Sequence, residues 1–132
     1  KAVEIAIDEM DAENKKYKKW TDTMLEKFSA VGGKLNGHLT NRLVHNLNIR
    51  FDGVQSKSII NTVSKKLAIS AGSACTSDLV EPSHVLLALG LNEGQAHNSI
   101  RIGCNRYNID EEIDFAINEI LNALESLAKI RV

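Results

Sequence analysis

Apolar residues recur at helical spacing near both ends of the chain. Over residues 1–29 they follow steps of three, four and seven, which places them on one face of a long helix. This stripe comprises Val3, Ile7, Met10, Tyr17, Trp20, Met24 and Phe28. A wider stripe between Ile113 and Ala128 predicts a second long helix, capped by Asn108 with Glu111 in the capping-box position.

Three segments between these helices have the patterns of short strands. Residues 46–51 and 98–104 alternate apolar and polar side chains with the period of two that a strand with one buried face requires. Residues 67–70 form a short apolar candidate, and residues 34–41 predict a loop that can include a short edge strand. These strands alternate with helices along the chain.

Turn residues delimit two further helices. Asp52 and Gln55 have capping-box spacing before one helix, and Pro82 stands where the first residue of another tolerates a missing N–H. Gly90 closes that second helix. The order of elements predicts a single α+β domain over residues 1–132, with a small antiparallel-type sheet packed against helices.

Composition excludes several classes of protein. The 132 residues carry a net charge of -1, which argues against a nucleic-acid partner, and no apolar run is long enough to cross a membrane. Two cysteines do not make a disulfide framework, so a reducing intracellular compartment is expected. The chain begins at Lys1, within a helical pattern, which suggests a piece of a longer protein.

Cys75 is the first candidate for chemistry. Residues 71–77 are small or polar and lack core periodicity, which predicts a loop in which a thiolate can reach a target. The alternative is a small buried hydrophobic residue. Cys104 is in phase with Ile100 and Ile102 and is predicted to pack in the core. A bridge between the two cysteines is geometrically open, but the compartment argues against a permanent one.

Arg101 is the second candidate, because alternation places it opposite Ile100 and Ile102. Its guanidinium can bind a carboxylate through two parallel hydrogen bonds. The alternative is an exposed arginine paired with a surface acid, and Arg106 is a weaker rival for the same role. The histidines lack metal-ligand spacing, so no metal site is predicted; they are His38, His45, His84 and His97.

Several segments together resemble the C-terminal part of cysteine desulfurases of the branch with a long, mobile catalytic loop. The resemblance covers essentially the whole chain. Its most specific part is the SAGSACTS segment at residues 70–77 followed by EPS at residues 81–83. The matching segments are residues 70–77 (SAGSACTS), 81–86 (EPSHVL), 88–91 (ALGL), 99–102 (SIRI), 42–49 (RLVHNLNI) and 110–114 (DEEID).

The resemblance implies a homodimeric, pyridoxal-phosphate-dependent enzyme of the aspartate-aminotransferase fold that removes sulfur from L-cysteine and leaves L-alanine. Cys75 matches the loop nucleophile that becomes a persulfide, with residues 70–80 as the mobile loop. Arg101 matches the arginine that binds the substrate carboxylate. The sulfur would pass to an iron–sulfur scaffold or another acceptor. The expected compartment is the cytoplasm, with the mitochondrial matrix as the alternative.

The resemblance also implies that part of the enzyme is missing here. The family's cofactor lysine and other cofactor-binding residues belong to a large domain, so this chain is expected to hold none of them, to bind no cofactor tightly and to be inactive alone. Val44, Arg50, Gly103 and Asn105 depart from the family pattern near the inferred substrate side. Two alternatives are a stand-alone sulfur-relay or interaction module, and a related aminotransferase or selenocysteine lyase that does not need Cys75.

Overall fold

The computed structural model describes residues 1–71 and 81–129. In these ranges helices lie at both ends of the chain and short strands lie between them, which confirms the predicted α+β class. In chain order the elements are α1 (Ala2–Ser29), β1 (Gly33–Leu35), β2 (Asn46–Phe51), α2 (Ser56–Val63), α3 (His84–Ala88), α4 (Glu93–His97), β3 (Ser99–Gly103) and α5 (Asp110–Lys129).

The three strands form an antiparallel sheet in the order β1-β2-β3. In the central strand, Ile49 lies opposite Leu35 on one side and Ile100 on the other. One face of the sheet is apolar and buried, and the other carries polar side chains, as the alternation predicts. The buried face comprises Leu47, Ile49, Phe51, Ile100 and Ile102.

Helices α1 and α5 cover the buried face of the sheet, but only the second half of α1 contributes to the core. Residues from Tyr17 to Phe28 supply its buried side chains. Val3, Ile7 and Met10 belong to the same stripe, yet they are 71%, 66% and 52% exposed. The helix prediction is therefore correct in extent, while the first half of its apolar face is left uncovered within the described structure.

The helix starts differ from the sequence predictions at three places. Helix α5 begins at Asp110, and its first turn is capped by the Glu112 carboxylate, which accepts a 3.3 Å hydrogen bond from the N–H of Ile109. The predicted box between Asn108 and Glu111 is wrong, because the Asn108 Oδ1 instead accepts from the N–H of Asn105. Local turn contacts compete here for the same polar side chains.

The other two helix starts shift by a residue or more. Gln55 is the N-cap of α2 and makes no side-chain capping bond, so the predicted box with Asp52 is wrong; the Asp52 carboxylate binds Lys34 and Arg50 instead. Pro82 precedes the N-cap of α3 instead of opening the helix. For Asp52, spacing alone does not show that Lys34 and Arg50 bind its carboxylate.

Two further differences lie on either side of the residues that are not described. Residues 67–70, predicted as a strand, form only an isolated antiparallel bridge between Ser70 and Arg101. Helix α4 has no counterpart in the sequence prediction, although Asn92 and Gln95 make a complete capping box at its start. Its five residues are too short to show an apolar stripe, so the cap was the available signal.

A polar contact joins the start of α5 to the middle of α1. The Asp110 carboxylate accepts hydrogen bonds from Trp20 Nε1 at 2.5 Å and from Lys19 Nζ at 2.7 Å. Lys16 Nζ donates to the carbonyl oxygen of Asn108 at 2.8 Å and lies 4.5 Å from the centroid of the Trp20 ring. These contacts fix the long helices relative to each other at the edge of the core.

The close approach of β1 to α1 gives a first prediction. A Cβ at Gly33 would lie 2.7 Å from the Phe28 carbonyl oxygen and 2.9 Å from the Phe51 ring, whereas one at Gly103 would meet nothing within 4 Å. Gly33→Ala should therefore lower the free energy of unfolding by about 1–3 kcal/mol. The matched control, Gly103→Ala, should stay within about 0.5 kcal/mol of the unsubstituted chain in urea unfolding. Equal midpoints for the two variants would contradict the packing described here.

The contact at Asp110 gives a second prediction. Hydrogen bonds from Lys19 and Trp20 lower the pKa of Asp110 below its ordinary value, so its stabilising effect is present above that value and is lost as pH falls through the lowered pKa. Asp110→Asn should reduce stability at pH 7, and the difference should shrink on acidification. Unfolding followed by the fluorescence of Trp20, the single tryptophan, measures this. The exposed Asp8→Asn serves as control, and a difference that does not depend on pH would contradict the assignment.

Candidate functional site

Arg101 lies in the middle of β3 on the polar face of the sheet. It is exposed between the buried Ile100 and Ile102, and Asn48 lies directly opposite on β2. Side chains of directly opposed residues in an antiparallel pair project from the same face. No hydrogen bond or ion pair of the guanidinium is found within residues 1–71 and 81–129. A fixed backbone thus carries a charged group that remains free to bind an anion.

Arg106, the rival candidate, is already engaged by α1. Its Nη1 lies 2.8 Å from Glu9 Oε2, and its Nε lies 3.0 Å from Glu13 Oε1. Both acids are more than ninety residues away in sequence, so no local pattern shows this pairing. The two arginines therefore differ: Arg106 links its turn to α1, whereas Arg101 has no such partner in residues 1–71 and 81–129.

The backbone of Arg101 also fixes the chain that leads towards the other candidate. The Arg101 N–H donates to the Ser70 carbonyl oxygen at 2.6 Å, and the Ser70 N–H donates to the Arg101 carbonyl oxygen at 3.3 Å. Cys75 follows Ser70 by five residues and lies outside the described residues, as does most of the predicted loop over residues 70–80. Its role as nucleophile stays a prediction.

Asn36 organises a hydrogen-bonded network on the same polar face. Its Nδ2 donates to Asn48 Oδ1 at 2.7 Å and to Ser99 Oγ at 2.8 Å. Its Oδ1 accepts from Arg50 Nη1 at 2.8 Å. Asn36 is 7% exposed and Ser99 is fully buried. The sequence prediction missed this network, because Asn36 lies in a polar stretch and meets its partners only when β1 pairs with β2.

The four departures from the family pattern have different surroundings. Arg50 is 17% exposed and donates to both Asn36 and Asp52, so its charge is used within the sheet. Lys34, and to a smaller extent Arg50, lower the pKa of Asp52 below its ordinary value.

The other three departures lie in less polar or more open surroundings. Val44 packs against the core, and Gly103 has open space beside it. Asn105 lines a cavity of about 680 Å³ together with other residues of the same edge, including Tyr17, His45 and Cys104.

Cys104 is buried, at 6% exposure, and belongs to the core cluster. Burial raises the pKa of its thiol, which disfavours the reactive thiolate. Its backbone N–H donates to the His45 carbonyl oxygen at 2.8 Å, so the strand end is fixed as well. These features agree with the predicted packing role.

The described residues offer no lysine suited to hold pyridoxal phosphate covalently. Such an amine must lose its proton, which burial favours. Lys16 is the only partly buried lysine of the described ranges. Its Nζ donates to the carbonyl oxygens of Arg106 and Asn108, just before α5. The other lysines of the described ranges are exposed. Among the described residues, therefore, no lysine fits the role of the cofactor's covalent anchor.

Two further kinds of feature are absent from the described part of the chain. No cluster of three or more histidine, cysteine or acidic side chains there could coordinate a metal ion. No helix there combines the length and the apolar character needed to pass through a membrane.

The described residues form a small α+β domain whose polar sheet face carries Arg101, an arginine without a partner among them. The family model for class-V aminotransferases matches residues 2–115, and the chain belongs to this family. It is 41% identical over 130 residues to a cysteine desulfurase IscS of Methylobacillus flagellatus, and 43% identical over 127 residues to one of Pseudomonas savastanoi pv. phaseolicola. These matches cover 98% and 96% of this chain, but only 32% and 31% of those relatives.

Solved structures agree with the fold assignment. A NifS-like protein superposes with a TM-score of 0.80 at 25% identity, covering 94% of this chain and 31% of that protein. A NifS-like protein from Rickettsia africae gives 0.73 at 20% identity, covering 89% and 31%. The chain therefore spans about a third of the proteins that it matches, in sequence and in structure.

The different surroundings of the two arginines give a third prediction. Arg101→Ala should change the free energy of unfolding by less than about 0.5 kcal/mol, because the guanidinium has no partner in the described structure. Arg106→Ala removes contacts with Glu9 and Glu13 and should cost about 1 kcal/mol, the upper end for exposed pairs. Urea unfolding of both variants measures the difference. A greater loss for Arg101→Ala would mean that this arginine has a structural role.

Proposed function

We propose that the chain is the C-terminal small domain of a longer, pyridoxal-phosphate-dependent cysteine desulfurase. The complete protein converts L-cysteine to L-alanine and retains the sulfur as a persulfide on Cys75. The observation that carries this proposal is Arg101, whose guanidinium has no partner among the described residues and whose backbone is bonded to Ser70, five residues before Cys75. The names of the relatives, cysteine desulfurase IscS, support the same reaction.

Chain length limits how far Cys75 lies from Arg101, whatever path the intervening residues take. Directly paired residues of antiparallel strands have Cα atoms about 5 Å apart, which applies to Ser70 and Arg101. Five residues span at most about 18 Å when fully extended. This limit permits the contact between the Cys75 thiol and an amino acid bound at Arg101 that the proposal requires.

The proposed chemistry assigns one role to each candidate. The Arg101 guanidinium binds the substrate carboxylate through paired N–H donors and so orients the side-chain sulfur. The Cys75 thiolate attacks that sulfur; a sulfur–sulfur bond forms while the substrate carbon–sulfur bond breaks. The electron pair of the broken bond stays with the substrate carbon, which takes a proton and yields alanine. When bound, pyridoxal phosphate supplies the electron sink for this chemistry.

The remaining parts of the proposal concern the complete protein. Its cofactor lysine and phosphate-binding residues would lie outside this chain. We propose that it acts as a homodimer in the cytoplasm and passes sulfur to an iron–sulfur scaffold or another acceptor protein. The 132-residue chain alone should bind the cofactor weakly and produce no sustained alanine from L-cysteine.

Substitution of the two cysteines in the complete gene product tests the function. Cys75→Ser should abolish persulfide formation and reduce alanine production at least a hundredfold, because the sulfur acceptor is removed. Cofactor absorbance should not change. The matched control is Cys104→Ala, which alters a buried thiol of the core and should retain both activities. Alanine and protein-bound persulfide are measured in parallel.

The outcomes separate this proposal from its alternatives. Full alanine production by Cys75→Ser would contradict a desulfurase and favour an aminotransferase or a selenocysteine lyase. A gene product without cofactor chemistry that still carries persulfide on Cys75 would favour a stand-alone sulfur-relay module.

A further inference from the structure

We propose that the Asn48 side-chain amide is a second donor to the substrate carboxylate, beside Arg101, and that its direction is fixed by hydrogen bonds running from Arg50 through Asn36. This inference rests on the proposed function and deepens it by adding a substrate-binding residue. It requires that the amide be oriented by its surroundings, that its N–H groups remain available and that it lie beside Arg101.

The orientation of the Asn36 amide follows from neighbouring groups that can only donate, or only accept, a hydrogen bond towards it. A guanidinium donates and never accepts, so the atom of Asn36 that faces Arg50 Nη1 at 2.8 Å must be its oxygen. The Ser99 hydroxyl has one hydrogen and gives it to the Gln95 carbonyl oxygen at 2.7 Å, so towards Asn36 it accepts. Both neighbours therefore require that Asn36 direct its Oδ1 towards Arg50 and its Nδ2 towards Ser99.

The same logic extends to Asn48. Asn36 Nδ2 donates at 2.7 Å, so the Asn48 atom that it meets is the oxygen. The Asn48 Nδ2 then lies on the other branch of the amide, and its N–H groups have no hydrogen-bond partner in the described portion of the chain. Asn36 is 7% exposed, so water has little access to compete for the bond that holds this arrangement.

The register places this amide beside the arginine. Asn48 and Arg101 are directly opposed on β2 and β3, and both project from the polar face. Asp52, the acid of the same network, already contacts Lys34 and Arg50. Because the Asn48 oxygen accepts from Asn36, the groups of this pair that have no partner in the described structure are N–H donors, which suits the lone pairs of a carboxylate. Asn48 would contact the substrate, and Asn36 would act as a positioning residue.

The test uses Asn48→Asp in the complete gene product. This change keeps the size of the side chain and the oxygen that accepts from Asn36, but it replaces the proposed donor with a negatively charged acceptor. KM for L-cysteine should rise at least about tenfold, in line with the loss of a hydrogen bond to a charged group. The value of kcat should change less than threefold. Asn61→Asp, the same substitution on the exposed surface of α2, should leave both constants unchanged.

A second ligand separates carboxylate binding from a merely structural role. Cysteamine has the amine and thiol of cysteine but lacks the carboxylate, so its inhibition of the enzyme should change less than twofold in Asn48→Asp. The thermal unfolding midpoints of Asn48→Asp and Asn61→Asp should agree. Equal weakening of cysteamine and L-cysteine would overturn the inference, because it would show general damage to the site.

The inference and the proposed function can fail separately. An unsubstituted gene product that makes alanine, with an Asn48→Asp variant of unchanged KM, overturns the inference alone. An unsubstituted gene product that binds no cofactor and makes no alanine contradicts the proposed function, and the inference is lost with it.

Discussion

Ile100 and Ile102 are almost fully buried on either side of Arg101, and this burial constrains the rest of the candidate site. Because successive side chains of a strand point to opposite faces, two buried isoleucines force the arginine between them onto the polar face. A slip of one residue would bury the guanidinium and expose both isoleucines, at a cost that the core cannot offset. The hydrophobic core therefore positions the charge without touching it.

Arg101 differs from Arg50 and Arg106 in its side-chain contacts. Arg50 and Arg106 are each bound by carboxylates or amides, and their roles are structural. Arg101 alone among these three has no partner in the described structure, although pairing would have been a simple way to stabilise an exposed strand. Leaving a fixed guanidinium unpaired costs little in water, and it keeps the group available for a ligand that brings its own negative charge.

Local patterns predicted the parts of the structure that depend on neighbours in sequence. The alternation in residues 98–104 placed Arg101 and Cys104 on their observed faces, and the apolar stripes predicted both long helices. Local patterns could not predict the Asn36 network or the pairing of Arg106, because each joins side chains that are distant in sequence. Two helix caps were mispredicted because the polar side chains with the expected spacing have other partners: Asn108 accepts from the nearby Asn105 N–H, and Asp52 binds Lys34 and Arg50. Cys75 remains a prediction from the sequence.

The exposed apolar face on the first half of α1 agrees with the finding that the chain spans only about a third of its relatives' length. Val3, Ile7 and Met10 continue the apolar stripe of α1 whose other residues pack in the core, yet they are exposed in the described domain. A contiguous exposed apolar face on a helix marks a surface that another structure covers. The matching relatives are about three times as long as this chain, so a complete protein of that length would have ample surface to cover this face. The proposed function accordingly assigns carboxylate binding and sulfur acceptance to this chain and cofactor binding to the remainder of such a longer protein.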